Sequence, residues 1–387
     1  MRVMDLSTRN ARVPVEVEAA PAYELLMSLA TFSHQSEIDS FDVGRAWFEH
    51  IETTVSAGLL ADVKRFSLHS GMEWCHLLGL ARESAPPRDV PSFLARLDAT
   101  EPAELRLHML GYYVHDDHHE IPREVMLQAA QGDRAAQEQI IARICAEDEE
   151  IDELRRVFAL SPEETKRFLL EILRGWDREV FRAREPEVMP ILWRDAEAKR
   201  RLIGTMPVER LVEVATNGVQ YAPEAGIRRV ILIPSFAFRP WTLISGHRDA
   251  RIFCYAAADE SLTADAEAAE TRLVRLYKAL ADERRLRVLR SLVSGTYTLQ
   301  ELADEQGIGK SLMHHHMSAL RAAGLVRVRL GHEKRFELRP DVIAEMPGLL
   351  DLYLRGPASE AGSRAVRRPA SPHRVRGAAQ PRQRRPQ

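Results

Sequence analysis

Between residues 271 and 340 the chain carries helix and strand signals so closely spaced that few folds satisfy them all. Residues 271–281 repeat apolar side chains at helical spacing, and Asp282 stands where its carboxylate can cap a second helix over 283–294. Thr298, followed three residues later by Glu301, is a capping box that opens a short third helix ending at Gln306. Gly307, Ile308 and Gly309 then leave room only for a tight turn. A fourth helix follows over 310–323, closed by Gly324 as a left-handed cap. Residues 325–330 and 335–339 alternate apolar and polar around Gly331, His332, Glu333 and Lys334, the pattern of a β-hairpin. Residues 341–354 offer a final amphipathic helix.

Helix, short turn, helix and hairpin in that order predict a winged helix-turn-helix. Leu299, Leu302 and Ala303 are spaced to pack against Leu312, Met313 and Leu320, with Ala303 small enough for a close helix crossing. The helix after the turn then exposes Lys310, Ser311, His314, His315 and Arg321, side chains able to reach base edges or phosphates in a major groove. The hairpin adds Arg329, His332, Lys334 and Arg335, with Arg327 beside them, suited to phosphates or the minor groove. Double-stranded DNA is therefore the expected partner.

At this level the module resembles the ArsR/SmtB family of bacterial winged-helix regulators. The resemblance is carried by Leu280-Ala281-Asp282-Glu283-Arg284-Arg285-Leu286-Arg287-Val288-Leu289, by Ser311, His315, His316, Met317, Leu320 and Arg321 on the helix after the turn, and by Gly324-Leu325-Val326 leading into the hairpin. It covers residues 270–355. It implies a homodimer joined through the flanking helices at 271–281 and 341–354, a palindromic DNA site, and repression by promoter occlusion. Metal-sensing relatives carry cysteines on the helix before the turn. Residues 298–304 have none, which argues against thiolate sensing of soft metals.

The remaining chain is much longer than such regulators need. From Pro21 to about Thr216 apolar residues recur at three- and four-residue spacing, punctuated by proline and glycine, so this part reads as helical. Val15 and its neighbours alternate like one short strand. Residues 228–233 and 251–256 are rich in β-branched and aromatic side chains and read as buried strands. The expected fold is mainly α: a winged helix-turn-helix C-terminal domain preceded by a larger, mostly helical α+β domain. Its divisions are an N-terminal sensor or assembly domain over 1–262, the DNA-binding domain over 263–355, and an Arg/Pro-rich tail over 356–387 expected to be disordered. The N-terminal part resembles the uncharacterised domain that precedes the winged helix in some longer family members.

Charge divides along the same lines. Residues 1–270 hold 31 basic and 46 acidic side chains, whereas 271–340 hold 14 and 7. The last 27 residues carry eight arginines and no acid. A basic module and tail on an acidic body fit contact with a polyanion through the C-terminal part. Cys75, Cys145 and Cys254 lie too far apart for a disulfide framework or a Cys-x-x-Cys clip. No apolar run approaches the ~18 residues of a membrane span. The opening MRVMDLSTRN lacks a signal-peptide core, so a cytoplasmic protein is expected.

Three constellations compete with this reading. His115, Asp116, Asp117, His118 and His119 could serve a metal-dependent hydrolase, but the run sits just before Ile121-Pro122 and the sequence offers no obvious second ligand element. His314, His315 and His316 point about 100° apart on a helix and cannot share one ion unaided. Ser235, His247 and Asp249 lack a Gly-x-Ser-x-Gly elbow. A regulator without catalytic role or cofactor is the expectation. Arg239, Trp241 and Tyr255 are its candidate effector-binding residues, Arg239 being the cation best placed for an anionic ligand.

Overall fold

The computed structural model describes residues 13–67, 71–114, 121–144, 148–262, 265–329 and 333–355. The cluster from His115 to His119, together with Cys145, His332 and the tail, lies outside them. The described strands are β1 (Val15–Val17), β2 (Val219–Gln220), β3 (Arg229–Ser235), β4 (Leu243–His247), β5 (Ala250–Ala256), β6 (Tyr297–Thr298), β7 (Val326–Arg329) and β8 (Arg335–Leu338).

The N-terminal sheet has the order β1-β3-β5-β4, parallel except for the β4–β5 pair. Its centre is buried on both faces, as parallel sheets require. Ile231, Ile233, Ile252 and Cys254 join the main core with the helices Pro21–Ser33 and Pro162–Trp176. Val230, Leu232, Phe253 and Tyr255 point the other way, against the helices Arg182–Arg200 and Val208–Ala215. The Pro21–Ser33 helix is apolar on nearly every side and is buried almost throughout, which places it at the centre of the body. The helix Pro162–Trp176 is opened by Ser161 and Glu164, which close a reciprocal capping box.

The expected strands at 228–233 and 251–256 are β3 and β5. β4 has no counterpart among those expectations. Gly246 and the buried Ser245 and His247 blur its apolar pattern, and its pairing to β5 supplies what the side chains do not.

The C-terminal module has its own core, in which Leu302 and Ala303 meet Met313, Met317 and Leu320. Asp282 accepts from the Arg285 N–H at 2.9 Å, and Thr298 with Glu301 completes the expected capping box. Gly307 and Gly324 both adopt positive φ, at 63° and 71°, where a Cβ would be strained. Leu312 departs from expectation: it is 41% exposed and packs against neither helix core. The first module helix is longer than the sequence pattern suggests and runs Asp265–Leu280.

The two parts do not meet as separate bodies. The second sheet has the order β2-β7-β8-β6, so a strand of the N-terminal part extends the wing. Val219 and Gln220 pair in parallel with Val328 and Arg329, and the Val328 N–H donates to the Gly218 carbonyl at 2.8 Å. No helix among the described residues is long and apolar enough to cross a membrane.

Candidate nucleic-acid interface

The helix Lys310–Ala322 presents three faces. Met313, His316, Met317 and Leu320 anchor it in the module core. Burial holds the His316 imidazole below its usual range, against the pull of Asp282 at 3.8 Å. Lys310, Ser311, Leu312 and His315 are exposed. His314 and Arg321, seven residues apart and hence on one stripe, face Trp241 of the N-terminal body.

The start of this helix differs from its neighbours. The two preceding helices carry side-chain caps from Asp282 and Thr298, but here Gly309 is the N-cap and supplies none. The first backbone N–H groups are thus open at the positive end of the helix dipole, beside the ammonium of Lys310 and the hydroxyl of Ser311. Such an end is suited to a phosphate oxygen, while His315, one turn further on, is placed to follow into a groove.

The wing cations are less free. The Arg329 side chain is 55% exposed, yet its Nε donates to Gln220 Oε1 at 2.7 Å and lies 3.4 Å from Glu337. Arg335 spans to Glu301 at 3.1 Å and to the Thr296 carbonyl at 3.0 Å. Arg327 pairs with Glu213 of the N-terminal body at 2.6 Å. Burial works against the Glu213 charge, but Arg210 and Arg327 outweigh it and hold this carboxyl below the usual range. Lys334 is exposed.

Residues 282–328 match the family described as bacterial regulatory protein, arsR family. Over 85 residues the chain is 36% identical to the HTH-type transcriptional regulator CmtR of Mycobacterium bovis and of Mycobacterium tuberculosis, a span that is 22% of this chain and 72% of the relative. The chain belongs to the arsR family of bacterial regulatory proteins. It carries that family's DNA-binding transcriptional-regulator domain at its C-terminal end. Two solved Mycobacterium bovis structures are similar at 26% identity. One is a crystal structure of a possible transcriptional regulatory protein, fragment 1–100, covering 21% of this chain and 91% of that one with a TM-score of 0.19. The other is a solution structure of a homodimeric winged helix-turn-helix DNA-binding domain, fragment 1–100, covering 24% and 91% with a TM-score of 0.20.

The candidate effector residues separate. Arg239 and Trp241 line a cleft of about 450 Å³ between the N-terminal body and the arsR-family domain. Arg239 is buried and already engaged: it donates to the Ala257 carbonyl and meets Asp259 at 2.5 Å and Asp42 at 3.1 Å. Tyr255 does not belong to that lining. It is buried in the sheet core and donates to Asp195 at 2.7 Å. Arg321, expected at DNA, lines the same cleft from the other side. Its contact with Trp241 was hidden from the sequence because periodicity assigns a residue to a helix face and not to the body that face meets.

Ser235, His247 and Asp249 do not form a triad. The Ser235 hydroxyl accepts from the Phe238 N–H, His247 bonds to Glu83 at 2.8 Å, and Asp249 meets Arg229 at 3.3 Å. Cys254 is a buried strand residue whose thiol is pushed far up by burial.

Proposed function

We propose that the chain is a cytoplasmic transcriptional repressor that acts by binding DNA and not by catalysis. It binds a palindromic operator as a homodimer. The observation that carries this is the uncapped N-terminus of the Lys310–Ala322 helix, with Lys310, Ser311 and His315 exposed and the opposite face locked in the core. The wing supports it through Lys334 and Arg329.

The dimer reading rests on the two helices that flank the motif. Val274 and Tyr277 on Asp265–Leu280 are each 43% exposed, and Ile343, Tyr353 and Leu354 on Pro340–Arg355 are 38%, 46% and 71% exposed. These helices pack on each other and leave those apolar side chains uncovered in the single chain. A second copy would cover them and set two motif helices about 34 Å apart, one turn of DNA.

Fluorescence anisotropy with duplex DNA from upstream of the chain's own gene tests the reading, with a scrambled duplex of equal length as control. Preference for the upstream duplex is expected. Lys310→Ala is expected to weaken it by about 1–3 kcal/mol. Equal affinity for both duplexes, or an unaltered Lys310→Ala variant, refutes the assignment. Sedimentation of the full chain is expected to give twice its 43.9 kDa mass; a monomer refutes the dimer.

A further inference from the structure

The cleft between the two parts has an unusual charge pattern. Its cations from the N-terminal side are already satisfied. Lys199 meets Asp195 at 3.3 Å, Arg210 meets Glu213 at 2.9 Å, and Arg239 meets Asp42 and Asp259, which it shares with Arg275 of the C-terminal helix Asp265–Leu280 at 2.8 Å and 3.4 Å. From the C-terminal side, Arg272 meets Glu345 at 3.1 Å, and Arg339 meets Asn217 at 3.0 Å and Asp341 at 3.7 Å.

Arg321 is the exception: it has no ion pair with any described residue. Its guanidinium lies 6.0 Å from the Trp241 ring centre, and burial lowers its pKa. A half-buried cation without a counter-ion carries an uncompensated desolvation cost, which an entering anion removes. The guanidinium fork fits a carboxylate through two parallel hydrogen bonds. Trp241, whose ring also stacks with His314 at 6.1 Å, offers an aromatic wall beside it, and 450 Å³ is the size of a small-molecule site. Asp259, Glu260 and Glu345 line the same cleft and set a limit on how much negative charge it accepts.

We propose that this cleft binds a small organic monocarboxylate with a planar apolar body, held by Arg321 and stacked against Trp241. One unpaired guanidinium among several carboxylates matches a single negative charge better than a phosphate dianion. The ligand would bridge the N-terminal body and the Lys310–Ala322 helix. Arg321 sits eleven residues from Lys310 on that helix, about 16 Å along one rigid element. A ligand on Arg321 therefore acts on the element whose other end is assigned to DNA. That link to DNA rests on the function proposed above; ligand binding itself does not.

Isothermal titration of the full chain without DNA tests the site, using benzoate, phenyl phosphate and inorganic phosphate as probes. Benzoate is expected to bind saturably, one per chain, with a Kd of about a millimolar or tighter. Arg321→Gln is expected to weaken benzoate by about tenfold or more, and Arg321→Lys by less, because the charge remains while the fork is lost. Lys310→Ala, outside the cleft, is expected to leave it unchanged. No saturable benzoate binding overturns the proposal, as does equal affinity in Arg321→Gln with its fold verified by circular dichroism. Phenyl phosphate binding more tightly than benzoate overturns the choice of a monocarboxylate. Failure of duplex binding with benzoate retained would remove the proposed function and leave the site standing. The converse result would do the opposite.

Discussion

At the scale of single residues, the buried carboxylate of Glu24 carries the clearest consequence. It lies inside the Pro21–Ser33 helix, fully enclosed, and accepts the backbone N–H groups of Ala237 at 2.7 Å and Phe236 at 3.1 Å. Burial raises its pKa to about 7, although those N–H groups and Ser235 pull the other way. The folded protein thus keeps a proton that the unfolded chain has released above its ordinary value of 4.5. A raised folded pKa means stability present at low pH and lost as pH rises through the folded value, here between about 4.5 and 7. Glu24→Gln removes that proton linkage while keeping an acceptor. Urea unfolding across pH 4.5–7.5 should show the wild type losing on the order of 3 kcal/mol relative to the variant. Parallel pH profiles would show that Glu24 is ionised in the fold. Composition and pattern gave no sign of this residue, since Glu24 stands among apolar neighbours with nothing local to mark its partners more than 200 positions away. Arg239 was legible as an unusual cation, but its acids Asp42 and Asp259 were not, since they stand on other elements and no local pattern ties them to it.

At the scale of elements, the signals that operate within a few residues were readable. The capping box at Thr298, the Asp282 cap and the left-handed Gly324 all stand where local chemistry puts them. β2 was not readable, because a two-residue strand has no period and exists only through its partner β7. Gly324 joins these two kinds of information. Its φ of 71° strains any L-residue, and an added Cβ would lie 2.5 Å from the Asn217 Oδ1 of the N-terminal body. Gly324→Ala therefore carries a backbone cost of about 1–2 kcal/mol and a second cost at the domain contact. Asn217 also sits at positive φ, so Asn217→Gly removes the obstructing side chain without adding strain. In a double-mutant cycle the Gly324→Ala penalty should shrink by about 1 kcal/mol in the Asn217→Gly background. Strict additivity would mean that the two residues do not meet in solution.

At the scale of the whole molecule, the charge asymmetry was legible and the way it is joined was not. The acidic body does not hang from the basic module by a linker; it contributes a strand to the wing and holds Arg327 through Glu213. Any duplex approaching the wing meets that carboxylate, and a body with 46 acidic against 31 basic residues behind it. Both effects lower affinity for a polyanion. Glu213→Gln deletes one charge at the junction and turns the ion pair with Arg327 into a hydrogen bond to a neutral amide, leaving only Glu337, at 3.6 Å, to hold Arg327 back from phosphate. The full-length variant should bind the upstream duplex several-fold more tightly, and the slope of log affinity against log salt should steepen by about one. The slope separates the two causes: a gain in affinity with an unchanged slope would come from reduced repulsion alone, with Arg327 still turned inward. A loss of affinity would show the opposite of a restraint, with the Glu213–Arg327 pair positioning the wing for DNA and the acidic body acting as a scaffold for binding.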